Sequence, residues 1–280
     1  QATKTSLDSY VSVLMMENKV VTKKVLERAG ISVPGGYEYT SPEAGMADYR
    51  MYAGKPVVIK PKSTNFGLGI TILKHNYDET DFKGALQIAF EHDNTLLIEK
   101  FIPGREFRIF IINDEVVGIL HRVPANVTGD GVLNIGQLID RKNEDPLRGK
   151  GYRTPLEKIR KGREEEMFLK QQGMDFNTVP KEGEVVYLRE NSNISTGGDS
   201  IDFTDDIDES YKAIAVEAAK ALNVKITGLD MMIQDIHAPA TPDNYAIIEM
   251  NFNPAIHIHC YPFKGKNRHL NHKMIRALGF

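Results

Sequence analysis

Two acidic residues near the end of the chain, Asp230 and Glu249, have the spacing to face each other across a β-hairpin. If Asp235 lies opposite Asn244 at the start of the connecting loop, then Asp230 lies opposite Glu249. Directly opposed side chains are only about 5 Å apart, and two like charges there repel by about 3 kcal/mol at an effective dielectric constant near 20. The pair therefore predicts a positive partner.

Asn251 extends this acidic face, because it follows Glu249 by two residues on the same strand. The apolar residues of both strands would alternate onto the other, buried face: Leu229, Met231, Ile233, Ala246, Ile248 and Met250. Three oxygen-bearing side chains without a soft ligand suit a hard divalent cation such as Mg²⁺, which keeps waters and shares phosphate oxygens. A solvated strand end is the alternative, since the long connecting loop could shift the register.

Lys60 leaves a short apolar strand at residues 57–59, directly before a polar, glycine-bearing loop at residues 62–69. Strand character resumes at residues 70–73, so the loop is the tip of a hairpin. Backbone N–H groups in such a loop can bind phosphate oxygens, and small residues allow close approach. No Gly-Lys-Ser/Thr follows and no helix begins there, which excludes a Walker loop. Lys60 and the loop predict an anion site, with an ordinary hairpin turn as the alternative.

A second hairpin, around a turn at Asn113 and Asp114, carries arginines on both strands. The turn would pair Arg105 with Arg122 and place Arg108 on the same strand as Arg105. Adjacent guanidinium groups favour a phosphate or carboxylate ligand, although at an exposed sheet end they could simply be hydrated. Arg189 and Asn191 begin a further polar loop that ends near residue 198, which either turn formation or anion binding explains. The candidates for binding a reacting anion are Arg108, Arg122, Arg189 and Asn191.

Periodicity and capping residues predict a mixed α+β chain. Helices are expected over residues 6–16, 18–29, 41–53, 78–92, 134–141, 155–172, 209–222 and 270–278. Strands are expected over residues 57–59, 70–73, 96–98, 107–112, 116–123, 185–188, 226–235 and 245–250, with a loop over 124–131. We predict a leading helix or linker (1–17), a small lobe with the glycine loop (18–100) and a large lobe with the metal site (101–280).

Composition restricts the partners of this 280-residue chain. A net charge of −3 provides no basic surface for nucleic acid, and no apolar run approaches the length of a membrane span. One cysteine, Cys260, excludes an internal disulfide and favours the reducing cytoplasm. His257, His259 and Cys260 suggest zinc on a strand, but no fourth ligand has suitable spacing. A first residue of Gln1 suggests part of a longer polypeptide.

In combination, these features resemble the ATP-grasp ligases along nearly the whole chain. The residues that carry the resemblance are Lys60 before its loop, Glu99 and Glu106 seven positions apart, and Asp230 followed by Glu249-x-Asn251. Residues 122–131, RVPANVTGDG, look like cyanophycin synthetase and its relatives. Residues 251–262, NFNPAIHIHCYP, resemble the C-terminal glutathione synthetase module of the bacterial bifunctional γ-glutamylcysteine ligase/glutathione synthetase.

The resemblance implies an ATP-grasp fold of two lobes, each with a mainly antiparallel sheet and helices, that hold ATP between them. Nucleotide binding would involve Lys19, Lys60, Ser63, Gly67, Gly69, Glu99, Lys100, Ile102 and Glu106. In that assignment Lys19 and Lys60 hold phosphates under the loop, residues 99–102 line the adenine pocket and Glu106 takes the ribose hydroxyls. Asp230, Glu249 and Asn251 would hold Mg²⁺ or Mn²⁺.

The family's reaction transfers the γ-phosphate of ATP to a carboxylate, after which an amine attacks the acyl phosphate. The resemblance thus implies an ATP-dependent carboxylate–amine ligase, with γ-glutamylcysteine and glycine as substrates and glutathione as product. A cyanophycin-type or other peptide ligase, and a binding module without catalysis, are the alternatives. The further N-terminal substrate domain of most such ligases is missing, as in the fused bacterial enzyme, so a covalently joined N-terminal ligase domain is an expected partner.

Overall fold

The computed structural model describes residues 5–63, 68–74, 76–151 and 153–280. In this part of the chain the α-helices are α1 Tyr10–Glu17, α2 Lys19–Arg28, α3 Pro42–Ala47, α4 Tyr49–Tyr52, α5 Glu79–Phe90, α6 Ile135–Lys142, α7 Arg163–Gln171, α8 Glu209–Ala221, α9 His257–Cys260 and α10 Leu270–Ala277. A 3₁₀ helix spans Ile194–Thr196. Among the described residues, none of the helices combines the length and apolarity that crossing a bilayer requires.

The strands form mainly antiparallel sheets. They are β1 Gly36–Tyr39, β2 Val57–Pro61, β3 Thr71–Leu73, β4 Leu96–Lys100, β5 Arg105–Ile112, β6 Glu115–Val123, β7 Asn126–Thr128, β8 Arg148–Gly149, β9 Leu156–Glu157, β10 Val185–Tyr187, β11 Asp199–Asp202, β12 Ile226–Ile233 and β13 Tyr245–Asn251. The two larger sheets have the strand orders β1-β4-β2-β3 and β11-β6-β5-β12-β13. The predicted α+β class is confirmed.

The chain divides into two compact units that differ from the predicted lobes. Unit 1 contains Gln1–Arg105, Ile109–Val116 and Ile207–Pro254, and unit 2 contains Glu106–Arg108, Val117–Asp206 and Ala255–Phe280. The segment with β12 and β13, which we assigned to the large lobe, therefore lies with the small one. Contacts between residues that are far apart in the sequence place β12 and β13 in unit 1, and local sequence patterns do not reveal such contacts.

Unit 1 is built around the antiparallel sheet of β1 to β4, with α5 on one face. The alternation of buried residues along β2 turns Ile59 towards Phe82 and Leu86 of α5 in the core. Each large apolar side chain that is fully buried contributes about 1.5–3 kcal/mol. Asp78 is the N-cap of helix α5, and its carboxylate accepts hydrogen bonds from the backbone N–H groups of Thr80 and Asp81. This packing holds β2 and β4, the two strands that position the site.

Helix α2 begins and ends as its capping residues predict. The side chain of Asn18 accepts hydrogen bonds from the backbone N–H groups of Val20 and Val21, at 3.1 and 3.2 Å. Gly30 follows the last turn with φ at +74°, a left-handed conformation that glycine adopts without strain. Consequently the first turns of α2 have a defined orientation.

The hairpin of β12 and β13 has the predicted pairing of Asp230 with Glu249. One residue further on, a β-bulge shifts the register, so Met231 lies opposite Ile247 and Ile233 opposite Tyr245. Our prediction of Asp235 opposite Asn244, and of Ile248 on the buried face, was therefore wrong. The extra residue is Ile248 of β13, so the shift lies within the strand and not in the long loop that we had named as the source of a register error.

Unit 2 contains β6 paired with β11, β7 paired with β10, and a core cluster around α6. The predicted helix over residues 155–172 begins only at Arg163, because β9 pairs in parallel with β8 and Gly162 then forms the helix N-cap. Similarly, the predicted loop at residues 124–131 contains β7. In unit 1, the predicted helix over residues 41–53 is interrupted at Asp48. Tertiary pairing of short polar segments overrode local periodicity in unit 2.

Candidate functional site

Two lysines of α2 and one lysine of β2 lie around a buried carboxylate in unit 1. Lys19 and Lys23 are four residues apart on α2, so they share one helix face. Lys60 on β2 lies opposite Leu97 of β4, and Glu99 is two residues from Leu97 on the same face of the sheet. Diagonal neighbours of this kind are within reach of long side chains. The strand register therefore brings Lys60 to Glu99.

Glu99 is the shared acceptor of this group. Its Oε2 is 2.8 Å from the Lys60 Nζ, and its Oε1 contacts the Lys23 Nζ. The Lys19 Nζ lies 3.8 Å from the Oε1 of Glu249 on β13. We call these five residues, Lys19, Lys23, Lys60, Glu99 and Glu249, the lysine cluster. It contains three ammonium groups and two carboxylates.

Burial and mutual repulsion make the cations of the lysine cluster costly to keep charged. Burial lowers the pKa of Lys23 to about 8, and the neighbouring Lys60 charge adds to the effect. Burial likewise lowers the pKa of Lys19, although Glu249 opposes the change. Burial alone would raise the pKa of Glu99, but the charges of Lys60 and Lys23 lower it overall. An anionic ligand would relieve this excess of positive charge.

Glu249 belongs to the lysine cluster and also lies opposite Asp230. The pair of opposed carboxylates is therefore next to the cluster. Asp230 is buried and Glu249 is about one-third exposed. Asn251 pairs with Gly228, one step further along the ladder, and its amide Nδ2 is buried without a hydrogen-bond partner among the described residues. Two carboxylates and an amide oxygen are the ligand types that suit a hard divalent cation.

A set of three or more His, Cys, Asp or Glu side chains suited to a metal is not found in the described part of the chain. A metal at Asp230 and Glu249 would therefore depend on Asn251 as its third protein ligand, and would be completed by water or substrate oxygens. The assignment of these three ligands stays a prediction.

Of the three glycine-loop residues predicted to bind the nucleotide, the structure describes Ser63 and Gly69. The backbone N–H of Ser63 donates to the Oδ2 of Asp93 at 2.7 Å. Burial alone would raise the pKa of Asp93, but the hydrogen bonds from Ser63 lower it overall. Gly69 has φ at +74° and approaches Pro61 so closely that a Cβ would lie 2.7 Å from its ring. Gly67, with the rest of residues 64–67, lies outside the described residues.

Lys100 and Ile102 are predicted to line an adenine pocket; Lys100 is the last residue of β4, and Ile102 follows it by two residues. The backbone N–H of Lys100 donates to the carbonyl of Gly35 at 2.8 Å, which extends the sheet contact of Glu99. The Lys100 side chain is exposed. Contacts of these residues with a nucleotide stay a prediction.

In unit 2, Glu106 contacts two polar side chains. Its Oε2 accepts a hydrogen bond from the Ser192 hydroxyl at 2.6 Å, and its Oε1 contacts the Arg122 guanidinium. Ser192 was missing from the predicted site, although it lies in the polar loop that begins at Arg189. The structure thus gives Arg122 a carboxylate neighbour, while its predicted pairing with Arg105 stays untested.

The other predicted anion-binding residues of unit 2 have different surroundings. The Arg189 Nε donates to Glu165 of α7 at 2.7 Å, so this guanidinium is already neutralised. The Oδ1 of Asn191 accepts a hydrogen bond from the Thr196 hydroxyl at 2.9 Å, which stabilises its own loop. Arg108 is largely buried.

His257 and His259 lie in the short helix α9. Our prediction that they lie on a strand was therefore wrong. His259 is fully buried, and burial together with the charge of Arg108 lowers its pKa to about 3. Its ring comes so close to Gly118 that an added Cβ there would lie 2.8 Å from the His259 Nδ1. A neutral, tightly packed core histidine accounts for these features better than zinc does.

The chain is similar in sequence to known proteins. Residues 16–141 match the RimK-like ATP-grasp domain family. The chain is 62% identical over 280 residues to the "Glutathione biosynthesis bifunctional protein GshAB" of Desulfotalea psychrophila, covering 100% of this chain and 36% of that protein. The protein of the same name from Clostridium perfringens is 56% identical over 278 residues, or 99% of this chain and 36% of the relative.

Solved structures are similar as well. A crystal structure of a bifunctional glutathione synthetase from Pasteurella multocida matches with 48% identity and a TM-score of 0.76, covering 99% of this chain and 38% of the other. D-Alanine–D-alanine ligase from Bacillus anthracis, at 20% identity, a TM-score of 0.53 and coverage of 87% and 59%, shares the fold. The chain spans little more than a third of the length of the bifunctional relatives. It has the α+β ATP-grasp fold that its motifs predicted, and it is similar over its length to part of the bacterial bifunctional glutathione biosynthesis proteins.

Proposed function

We propose that the chain is an ATP- and Mg²⁺-dependent ligase that joins γ-glutamylcysteine to glycine and produces glutathione, ADP and phosphate. The observation that carries this proposal is the lysine cluster beside the opposed Asp230 and Glu249, which combines buried cations with oxygen ligands. The choice of substrates rests on the names of the bifunctional relatives.

In this proposal the lysine cluster binds the phosphates of ATP. Lys60 and Lys19 are held near the ligand by Glu99 and Glu249, and charge-assisted hydrogen bonds to phosphate oxygens replace part of these contacts. Asp230, Glu249 and Asn251 would hold Mg²⁺ or Mn²⁺. When bound, the ion would neutralise charge on the transferring phosphate.

The remaining residues have proposed roles in positioning. Glu106 takes the ribose hydroxyls in place of its bond from Ser192. Arg108, Arg122, Arg189 and Asn191 bind the acid and the transferred phosphoryl group. Positioning and charge neutralisation account for most catalysis of phosphoryl transfer, and a closed site protects the acyl phosphate from water.

We further propose that the chain works in the cytoplasm, covalently joined to a ligase domain that supplies γ-glutamylcysteine. The greater length of the bifunctional relatives supports this arrangement. Two consecutive ligations on one polypeptide would keep the intermediate at high local concentration.

The direct test is mass spectrometry of the products after incubation with ATP, Mg²⁺, γ-glutamylcysteine and glycine, with each component omitted in turn. Glutathione is expected only in the complete mixture. ADP without a peptide product would retain the ATP site and overturn the substrates. If ATP binds but no ADP forms in any mixture, a binding module without catalysis becomes the better description.

A further inference from the structure

Lys23 has no role in the proposed reaction, yet its ammonium meets Lys60 at the same carboxylate. We propose that Lys23 is a third phosphate-binding cation of this chain, which Glu99 holds beside Lys60 until the polyphosphate of a nucleotide binds. This inference rests on the proposed function, because it assigns a further residue to the same nucleotide site.

The first argument is placement. Lys23 follows Lys19 by one turn of α2, so both side chains face β13. A cavity of about 10 Å³ lies between these elements, and its lining includes Lys19, Lys23 and Glu249. Such a volume holds about one water molecule. Lys23 is thus built into the same wall as Lys19.

The second argument is the sharing of Glu99. Lys23 and Lys60 have one carboxylate between them, because Glu99 divides its two oxygens between the two ammonium groups. The Lys23 side chain is 12% exposed and that of Lys60 is 11% exposed, so water compensates little of the repulsion between them. A ligand with several negative oxygens would satisfy both cations.

The third argument is protonation. Because burial lowers the pKa of Lys23 to about 8, part of its charge is lost in mildly alkaline solution. A phosphate placed against the ammonium group would favour the charged form. Nucleotide binding should then be accompanied by proton uptake at Lys23. The charged groups facing it are Glu99, Lys60 and Lys19.

The test uses isothermal titration calorimetry with ATP and Mg²⁺ on the whole chain and three variants. Lys23→Met removes the ammonium, and Lys23→Arg keeps a positive charge. Lys24→Met is the matched control, since Lys24 is exposed on the same helix and loses the same charge. A charged hydrogen bond to phosphate corresponds to a roughly 10- to 100-fold change in Kd. We expect that loss in Lys23→Met, a Kd within a few fold of wild type in Lys23→Arg, and no change in Lys24→Met.

Repeating the titration at pH 8.5 in buffers of different ionisation enthalpy measures the linked proton. Wild type should take up protons on binding ATP, and Lys23→Arg should take up fewer because arginine stays charged. An unchanged Kd in Lys23→Met, or a loss equally large in Lys24→Met, would overturn the inference. A lower melting temperature of the unliganded Lys23→Met protein with an unchanged ATP affinity would make Lys23 structural.

Failure of the proposed function gives a different result. If wild type does not bind ATP, the proposed function and this inference are both wrong. If wild type binds ATP and Lys23→Met weakens binding, but no glutathione forms, Lys23 keeps its role and the substrates of the ligase are wrong.

Discussion

Units 1 and 2 each surround one buried carboxylate with two cations, but the two arrangements differ in what completes them. In unit 2, Asp199 contacts Arg148, accepts from Lys142 at 2.7 Å and accepts from Asn126 at 2.9 Å. We call these four residues the Asp199 cluster. In unit 1, Glu99 contacts Lys23 and Lys60 of the lysine cluster.

The two cations of the Asp199 cluster also donate hydrogen bonds to backbone carbonyl groups. Lys142 also donates to the backbone carbonyl of Asn126 at 2.9 Å, and Arg148 donates to the carbonyl of Gly197 at 3.0 Å. Phe263 lies 5.2 Å from the Lys142 Nζ and covers it. Backbone oxygens cannot leave, so this cluster is suited to stability. Lysines that meet on a shared carboxylate can exchange it for a ligand, which is what binding requires.

Glu249→Gln should have the largest effect on activity and so tests the functional side of this contrast. It removes the carboxylate opposite Asp230 while keeping the size and shape of the side chain. We expect kcat to fall on the order of 10³-fold, as for loss of a group that stabilises transition-state charge, with a melting temperature close to wild type. Steady-state kinetics over a range of Mg²⁺ concentrations is the measurement, and a wild-type rate would refute the metal assignment.

Asp199→Asn should have the largest effect on stability and tests the structural side. Removing one partner from a buried ion pair costs about 3–5 kcal/mol, and Arg148 cannot respond by losing its proton. Glu99→Gln is the matched change in unit 1. There the loss should be smaller, because Lys23 can become neutral. Urea unfolding at pH 8 compares the two, and equal losses would remove the distinction between the clusters.

Lys60→Ala should weaken ATP binding by roughly 10- to 100-fold, the effect of one charged hydrogen bond to a phosphate. The unliganded protein should unfold at nearly the wild-type temperature, because Lys60 and Lys23 repel each other when both are buried. Calorimetric titration and thermal unfolding measure the two quantities. A large loss of stability without a change in ATP affinity would place Lys60 with the structural cluster instead.

The last contrast is a pH dependence of stability that Lys23 causes. Its pKa is about 8 in the folded chain, against an ordinary value of 10.5. Between these values the unfolded chain binds more protons, so the contribution of Lys23 to the free energy of unfolding rises with pH. Stability of wild type relative to Lys23→Met should therefore increase from about pH 8 to 10.5 and be constant below pH 7. Urea unfolding across this range, with Lys24→Met as the flat control, provides the check.

Local signals in the sequence accounted for the elements that position the candidate site. Asn18 and Gly30 mark the ends of α2 because a cap side chain and a left-handed residue act within one turn. The pairing of Asp230 with Glu249 was predicted from strand alternation, although the register from which it was derived does not hold beyond the bulge. The motifs as a set also predicted the ATP-grasp fold.

Tertiary structure decided which polar groups share a carboxylate. Lys23 and Glu99 are 76 residues apart, and their contact depends on how α2 packs against the sheet. The bulge after Asp230 depends on an extra residue in β13, which no period of two can reveal. The predicted strand ended at Ile59, whereas Lys60 lies within β2 and pairs with Leu97 of β4. Only the packing of distant elements in a water-poor interior brings three lysines together and sets their charge.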